Sequence, residues 1–452
     1  MKKINCIPLV IILLFCLSIQ AQTKKWTLEE CVKYAIDNNI SIKQTELDTK
    51  TADIGKKDAI GNFIPSLNSN ASHSWNIGLN QDITTGLLRN QTSQFSSFGA
   101  GLGFDIYKGM QNQNTLRRAN LSIIAAKYQL TKMQEDVALN VANAFLQVLF
   151  NKENLKVQQE QKANNEKQLS RSEELVKAGS VPRGDLLDIK ATVASDAQRV
   201  VTAENTLLIS KLSLAQLLQL KEFYDFDITD DTSVKDENNI LAQTPVAVYD
   251  KAKEQRTELK IAKTNLDIAE KNVAIAKGAF QPTLQGFYNI NTRISYADTF
   301  DFQTGLSRPA ASFDQQFLDN KGQTFGAQIS IPVFNGWSVK NNVERSKVNL
   351  EKSKIAVEQE ELTLQRNVYT AFTDAKGGLN AYESAISALE ARQEAYNYAK
   401  ERYAVGIMNS FDFNQSQTLF TVAQSEVLRT KYDYIFKIKI LEFYFGIPII
   451  KN

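Results

Sequence analysis

Catalysis needs the right residue types held close together, and this chain offers few. Among its 452 residues there is one histidine, His73, so there is no material for a Ser-His-Asp relay or an imidazole-rich metal site. His73 sits in a stretch that alternates like a strand, where a lone histidine is a structural or interface residue. Gly101-Leu102-Gly103 belongs to another alternating stretch, and no phosphate-binding loop follows it. Carboxylates are plentiful, but only two stand out by position. Asp185 and Asp412 each lie six residues after a glycine, Gly179 and Gly406 (185 − 179 = 6; 412 − 406 = 6). A carboxylate in the first turn of a helix complements the helix dipole by about 0.3–1 kcal/mol. No two acids are marked out as general acid and base, so no enzyme, cofactor or metal centre is expected.

Those two aspartates belong to a larger repetition. Phe98-Gly99-Ala100 through Gly109 returns as Phe325-Gly326-Ala327 through Gly336, at an offset of 227 (325 − 98 = 227). The same offset carries Leu175-Val176-Lys177-Ala178-Gly179 onto Arg402-Tyr403-Ala404-Val405-Gly406. A duplication of this length predicts two equivalent halves, 22–230 and 231–452.

Residues 1–21 read as a secretory signal: Lys2-Lys3, an apolar run from Ile7 to Leu17, and Ala21 before the cut. Phe15 precedes Cys16, where a lipoprotein signal would have a small residue. Cys6 and Cys16 leave with the signal, so the lone remaining Cys31 has no partner for an internal disulfide. A formal charge of +2 gives no strong field for nucleic acid. Even Ile435 to Ile450 is broken by Lys437, Lys439 and Glu442, so no helical membrane span is expected.

Proline is absent from 66–181 and from 333–447, two tracts long enough for very long helices. The first half predicts a strand pair at about 65–107 and a helical hairpin at about 110–220. The second half predicts a pair at about 282–334 and a hairpin at about 337–445. In the return helix of the first hairpin, Leu186, Ile189, Val193, Ala197, Val200 and Leu207 follow heptad-like spacing. Gln158 to Gln168 contains one apolar residue, Ala163. Two readings fit that stretch: a solvated coiled-coil tip, or the wall of a hollow tube with water on both sides.

The four strand segments alternate with a period of two. Leu67, Ala71, Trp75, Ile77 and Leu79 oppose Asn68, Asn70, Ser72, Ser74 and Asn76; Phe98 to Ile106 oppose Gly99, Gly101, Gly103 and Asp105. Leu284, Tyr288, Ile290 and Ile294 oppose Gln285, Asn289 and Asn291, while Phe325 to Val333 oppose Thr324, Gly326, Gln328 and Ser330. One such strand fits a soluble sandwich equally well. Four of them, paired around segments 81–94 and 297–323 in an exported chain, favour strands tilted through an outer membrane. Four strands cannot close a barrel, and an open edge in lipid leaves unpaired backbone groups. Other copies of the chain must therefore complete it.

Trp26-Thr27-Leu28-Glu29-Glu30-Cys31 through Asn39 resembles the opening helix of the TolC-type outer-membrane efflux proteins. Phe63-Ile64-Pro65-Ser66-Leu67 and its copy Phe280-Gln281-Pro282-Thr283-Leu284 are similar to that family, as are Ile331-Pro332-Val333-Phe334-Asn335-Gly336 and Arg402 to Gly406. The resemblance covers 24–447. It implies an α+β membrane protein: four transmembrane β-strands per chain completing a trimeric twelve-stranded barrel, continued by a long periplasmic α-helical barrel. It also implies a passive exit duct for a tripartite efflux or type I secretion system. The partners are then outer-membrane lipid, a periplasmic adaptor (membrane fusion protein) and, through it, an inner-membrane pump.

By the same resemblance Asp412 belongs to an acidic ring that narrows the tunnel, with Asp185 and Tyr403 in the network that holds the tips together. Gln415 stands where some relatives have a second aspartate, and Met408 where some have an arginine. Asp188, at the offset of 227 from Gln415 (415 − 227 = 188), is a substitute for the missing carboxylate. The turns Gly179-Ser180-Val181 and Gly406-Ile407-Met408 are where relatives meet the adaptor. Two other functions are expected to leave different marks. A periplasmic coiled-coil adaptor or structural protein would have one hairpin between compact β domains. A surface receptor would use the loop 297–323 and is compatible with a duct.

Overall fold

The computed structural model describes residues 25–81, 86–221, 225–229, 240–301 and 303–448; the signal segment lies outside them. The chain forms two compact units. One is drawn from the segments up to Leu47, Tyr128–Lys260 and from Gln359 on; the other from Asp48–Lys127 and Ile261–Glu358.

The second unit holds the sheet. Its strands are β2 (Ser66–Gln81), β3 (Leu88–Lys108), β5 (Thr283–Ser295) and β8 (Gly322–Ser330), in the order β2-β3-β5-β8 with every pair antiparallel. Register makes the alternation two-sided. Leu67, Leu102, Tyr288 and Phe325 line up across all four strands, and the next row is Asn68, Gly101, Asn289 and Thr324. A slip of one residue in any strand would mix the two rows, so the pattern itself specifies the pairing. The apolar row is left open: Ile77 and Phe325 are each 82% exposed.

Two expectations are corrected. The fourth strand stops at Ser330 instead of running through Val333, because Pro332 has no N–H to continue the ladder. Segment 297–323 is no plain loop. It carries β6 (Thr299–Asp301) paired with β7 (Leu306–Arg308), then a short helix, α7 (Phe313–Asp319). Phe313 and Phe317 of α7 pack edge-on to Phe98, with ring centroids 5.9 and 5.6 Å away, and Thr292 donates to the Phe317 carbonyl at 3.2 Å. The apolar face is therefore covered by its own chain around Phe98. His73 is a cross-strand residue here: its Nδ1 lies 2.8 Å from Ser96 Oγ, directly opposite in register.

The first unit is helical. After β1 (Lys25–Trp26), Thr27 and Glu30 form a reciprocal capping box that starts α1 (Leu28–Asn38). Helix α2 is Ile40–Gly61. The long helices are α3 (Gln111–Lys177) and α4 (Arg183–Leu217), then α8 (Ser338–Ala404) and α9 (Ser410–Phe445). Helices α3 and α8 each have 67 residues, so each is about 100 Å long at 1.5 Å per residue. β4 (Asp227–Ile228) pairs parallel with β1 and is followed by α5 (Pro245–Gln255) and α6 (Thr257–Gly278); most of α2 and of α6 belongs to the second unit. The core gathers Val32, Phe145, Leu149, Leu214 and Ile228. Beside it the buried Arg256 bonds Glu135 and Glu258, both at 3.0 Å, and lies 3.8 Å from the Phe443 ring. No helix among the described residues is long and apolar enough to cross a membrane, which says nothing about a barrel.

The duplication is visible in the backbone. Each strand-to-helix junction carries two successive left-handed residues, Gly109-Met110 (φ 56, 60) and Gly336-Trp337 (φ 59, 69).

Candidate gate at the hairpin tips

Both long helices end in the same way. Gly179 (φ 72) donates to the Val176 carbonyl at 3.0 Å, and Ser180 to Leu175 at 2.9 Å. Gly406 (φ 79) donates to Tyr403 at 3.2 Å, and Ile407 to Arg402 at 3.1 Å. These are paired bonds of the Schellman type, and the left-handed φ is why glycine occupies both sites. The turns that follow are open to solvent: Ser180 and Ile407 are exposed, Val181 and Met408 half-buried.

The two return helices begin differently. Helix α9 has a side-chain cap: Asn409 Oδ1 accepts from the Asp412 N–H at 2.8 Å, and Asn409 Nδ2 donates back to Asp412 Oδ2 at 2.9 Å. Asp412 is otherwise exposed. Helix α4 starts from Pro182 with no side-chain cap, which leaves Asp185 available elsewhere. It accepts from Ser410 Oγ at 3.3 Å, and Asp188 lies 3.4 Å from the same hydroxyl. Ser410 is buried at 6% exposure, so a single serine joins the start of α9 to the start of α4.

Among the described residues, Tyr403 is a stacking residue. Its ring lies 4.7 Å from Phe413 at 13°. Tyr396 stacks on Phe420 at 5.2 Å and 2°, which extends the aromatic packing between α8 and α9 away from the tip. Gln415 is exposed and borders a cavity between α4 and α9. The tips are thus held by a polar link between α4 and α9 and by ring stacking between α8 and α9. Of the residues singled out in the sequence, Asp185 and Asp188 come together at Ser410, whereas Asp412, Gln415 and Tyr403 do not join them.

Polar contacts continue along α3 and α9. Tyr432 donates to Glu153 at 2.6 Å, Ser425 to Asn154 at 3.1 Å, and Thr421 to Gln161 at 2.9 Å. Within the apolar-poor stretch Gln158 to Gln168, Gln161 and Asn165 are buried, so the stretch packs a polar edge against its neighbouring helices. Ser410 was not legible as a site residue: it opens α9, and only packing against α4 brings Asp185 and Asp188 to it.

The arrangement joins the first turn of α9 to the first turn of α4 through one hydroxyl. The chain matches the family model described as outer membrane efflux protein over residues 32–219 and 248–439. It is 22% identical over 399 residues to outer membrane protein TolC of Escherichia coli (strain K12), covering 88% of this chain and 78% of that one. It is also 22% identical over 326 residues to the cation efflux system protein CusC of Escherichia coli O157:H7, covering 70% and 63%. Its fold superposes on the CmeC outer membrane channel of Campylobacter jejuni with a TM-score of 0.79 at 18% identity, covering 93% and 85% of the two chains. With the four-stranded sheet, the two long hairpins and the tip link, this establishes that the chain belongs to the outer membrane efflux protein family, as an outer-membrane exit duct and not an enzyme.

Proposed function

We propose that three copies of the chain close the four-stranded sheets into one twelve-stranded barrel, and that their hairpins form a helical tunnel across the periplasm. The observation that carries this is the open sheet: β2 and β8 are unpaired edges flanking a face of exposed apolar residues. In lipid such an edge costs several kcal/mol per unpaired group, and pairing β2 of one copy with β8 of the next removes both edges. In that assembly the first 21 residues direct export and are removed. The Asn- and Gly-rich row then faces the water-filled lumen, and the leucine and aromatic row faces lipid.

At the other end, the tips around Gly179 and Gly406 meet a periplasmic adaptor that links the duct to an inner-membrane pump of an efflux or type I secretion system. The link of Asp185 and Asp188 to Ser410 holds the tips closed, Tyr403 packs the second hairpin, and Asp412 supplies the charge at the constriction. Gln415 contributes an amide there in place of a second charge. Opening is a rearrangement of helix ends driven by the partners, and the duct passes its cargo without spending a nucleotide.

The test is single-channel conductance of the purified, non-denatured protein in a planar bilayer, wild type beside Asp412→Ala. A small steady conductance that grows in the variant supports pore, gate and residue together. Failure to insert into the bilayer would overturn the barrel.

A further inference from the structure

Two helices each carry an apolar row that stays exposed. Ile40, Leu47 and Ile54 recur every seventh residue on α2, as Val348, Ile355 and Leu362 do on α8, and all six are between 56% and 63% exposed. Neither row is the one that its helix turns into its own chain: α2 buries Ile42, Thr45 and Ala59, and α8 buries Leu364 and Val368. A seventh-residue repeat keeps side chains on one line of a helix, the seam of a coiled coil. Beside each apolar row runs a charged one, also in sevens and exposed. It is Lys43, Lys50 and Lys57 on α2, and Glu344, Glu351 and Glu358 on α8.

The sheet edges bring these rows together across copies. Helix α2 leads into β2 through residues 62–65, and β8 leads into α8 through 331–337. Pairing β2 of one copy with β8 of the next sets α2 beside the next copy's α8, running the opposite way. The chain holds the same arrangement once within itself, where α6 leads into β5, α3 follows β3, and β3 pairs with β5. There the two helices touch in antiparallel order: Arg118 donates to Asn272 at 3.3 Å, and further along Thr257 donates to Glu135 at 3.3 Å.

The internal repeat transfers that register. Glu135 answers to Leu362 (135 + 227 = 362), and Thr257 to Ile40, since Phe280 repeats Phe63 (280 − 63 = 217; 257 − 217 = 40). Ile40 then meets Leu362, Leu47 meets Ile355 and Ile54 meets Val348, because an antiparallel pair keeps the sum of the two residue numbers constant (40 + 362 = 47 + 355 = 54 + 348). Within one residue of that register, Lys43 faces Glu358, Lys50 faces Glu351 and Lys57 faces Glu344 (43 + 358 = 50 + 351 = 57 + 344). Spacing, exposure and charge on two separate helices therefore agree on one alignment.

We propose that α2 of one copy and α8 of the next form an antiparallel coiled coil in which apolar layers alternate with Lys–Glu layers. The inference rests on the sheet closure proposed above and adds the surface and register by which the helical part closes. Within one copy, Glu344 and Glu351 pair with Lys347 and Lys354 of their own helix, both at 2.8 Å. Exposed pairs of this kind hold weakly, so the glutamates are free to turn to the lysines of another copy.

The test is disulfide cross-linking of the full chain in detergent, with molar mass by light scattering in parallel. Lys50→Cys with Glu351→Cys is the matched pair. Lys50→Cys with Glu358→Cys is displaced by seven residues, about 10 Å along the helix, beyond a bridge that needs Cα atoms within about 7 Å. Cys31 is buried, and the single-cysteine variants control for it. All three substitutions replace exposed side chains. The expected result is a covalent trimer on a denaturing gel from the matched pair and none from the displaced pair. A trimer by mass that gives no covalent trimer overturns the coiled coil and leaves the sheet closure standing, as does equal cross-linking of the two pairs. A monomer by mass overturns both. In a second variant, reversing Lys43, Lys50 and Lys57 to Glu should lower the temperature at which the trimer dissociates, and adding Glu344, Glu351 and Glu358 to Lys should restore it. Reversal without that rescue also overturns the pairing.

Discussion

Ser410 and Asp185 lie 225 residues apart in sequence, and the serine hydroxyl donates to the aspartate at 3.3 Å between the first turns of α9 and α4. Asp188 sits 3.4 Å from the same hydroxyl, so two carboxylates share one donor. A hydrogen bond to a charged group contributes about 1.5–3 kcal/mol when well enclosed. This one involves a half-buried and an exposed carboxylate, which places it near the lower end.

Ser410→Ala removes the donor and leaves Asp185 and Asp188 facing each other without it. We expect a closed-to-open shift of about tenfold, equivalent to about 1.4 kcal/mol. Asp185→Asn, which keeps an acceptor and removes one of the like charges, should shift it less. Single-channel open probability reads both; equal behaviour of the two variants would mean that the shared hydroxyl is not the link.

Asp412 has two separable tasks, capping α9 and carrying charge. Asp412→Asn keeps an oxygen for Asn409 Nδ2 and removes the charge, while Asn409→Ala removes the cap, at a cost of about 1 kcal/mol, and keeps the charge. If charge sets the constriction, Asp412→Asn relieves divalent-cation block of the conductance and Asn409→Ala does not. The opposite pattern assigns Asp412 to the cap alone.

The β3-to-α3 junction has no room at Gly109. A Cβ there would overlap the Gly278 carbonyl oxygen, and the backbone is left-handed at φ 56. Gly109→Ala should destabilise by about 2 kcal/mol or more. Met110, at φ 60, carries the strain of a left-handed non-glycine residue, so Met110→Gly should be stabilising or neutral. Thermal unfolding of the two variants side by side checks the sign.

Burial pushes the Glu135 carboxyl up from its ordinary value of 4.5, against the pull of Arg256. A carboxyl raised in the folded state binds more protons folded than unfolded. Its contribution to stability is therefore favourable in acid and is lost as pH rises through the raised value. Glu258, beside the same guanidinium, is held low despite its burial by the hydrogen bond and charge of Arg256, and has the opposite slope. Relative to Glu135→Gln, the wild type should lose unfolding midpoint as pH rises from about 4 to about 6, the range just around the ordinary glutamate value. An identical pH dependence in the two proteins would show that the Glu135 carboxyl is not raised.

Several features were set by local chemistry and are legible in the chain. The left-handed turns at Gly179 and Gly406 follow from glycine, which alone adopts that backbone without strain. Alternation in Leu67 to Leu79 and in Phe98 to Ile106 specifies two faces, because a strand has a period of two and the cross-strand register keeps the faces aligned. Proline-free tracts permit the helices, and Pro332 ends β8. Family membership rests on the order of such local signals along the whole chain.

Tertiary structure decided what those signals cannot encode. Spacing treats Asp185 and Asp412 as equivalents, yet one is spent on Ser410 of another helix and the other on its own cap. That difference arises because Pro182 has no side-chain donor to hold Asp185, while Asn409 Nδ2 donates to the Asp412 carboxylate. Asp196, Asn165 and Gln417 look like surface residues in composition. They become interior only when α3, α4 and α9 pack, since burial of a polar side chain depends on which helix lies across from it. Covering of the apolar face at Phe98 likewise required α7 to fold back, a contact between residues more than 200 positions apart (313 − 98 = 215). Periodicity states which face a residue is on, and only packing states what that face meets.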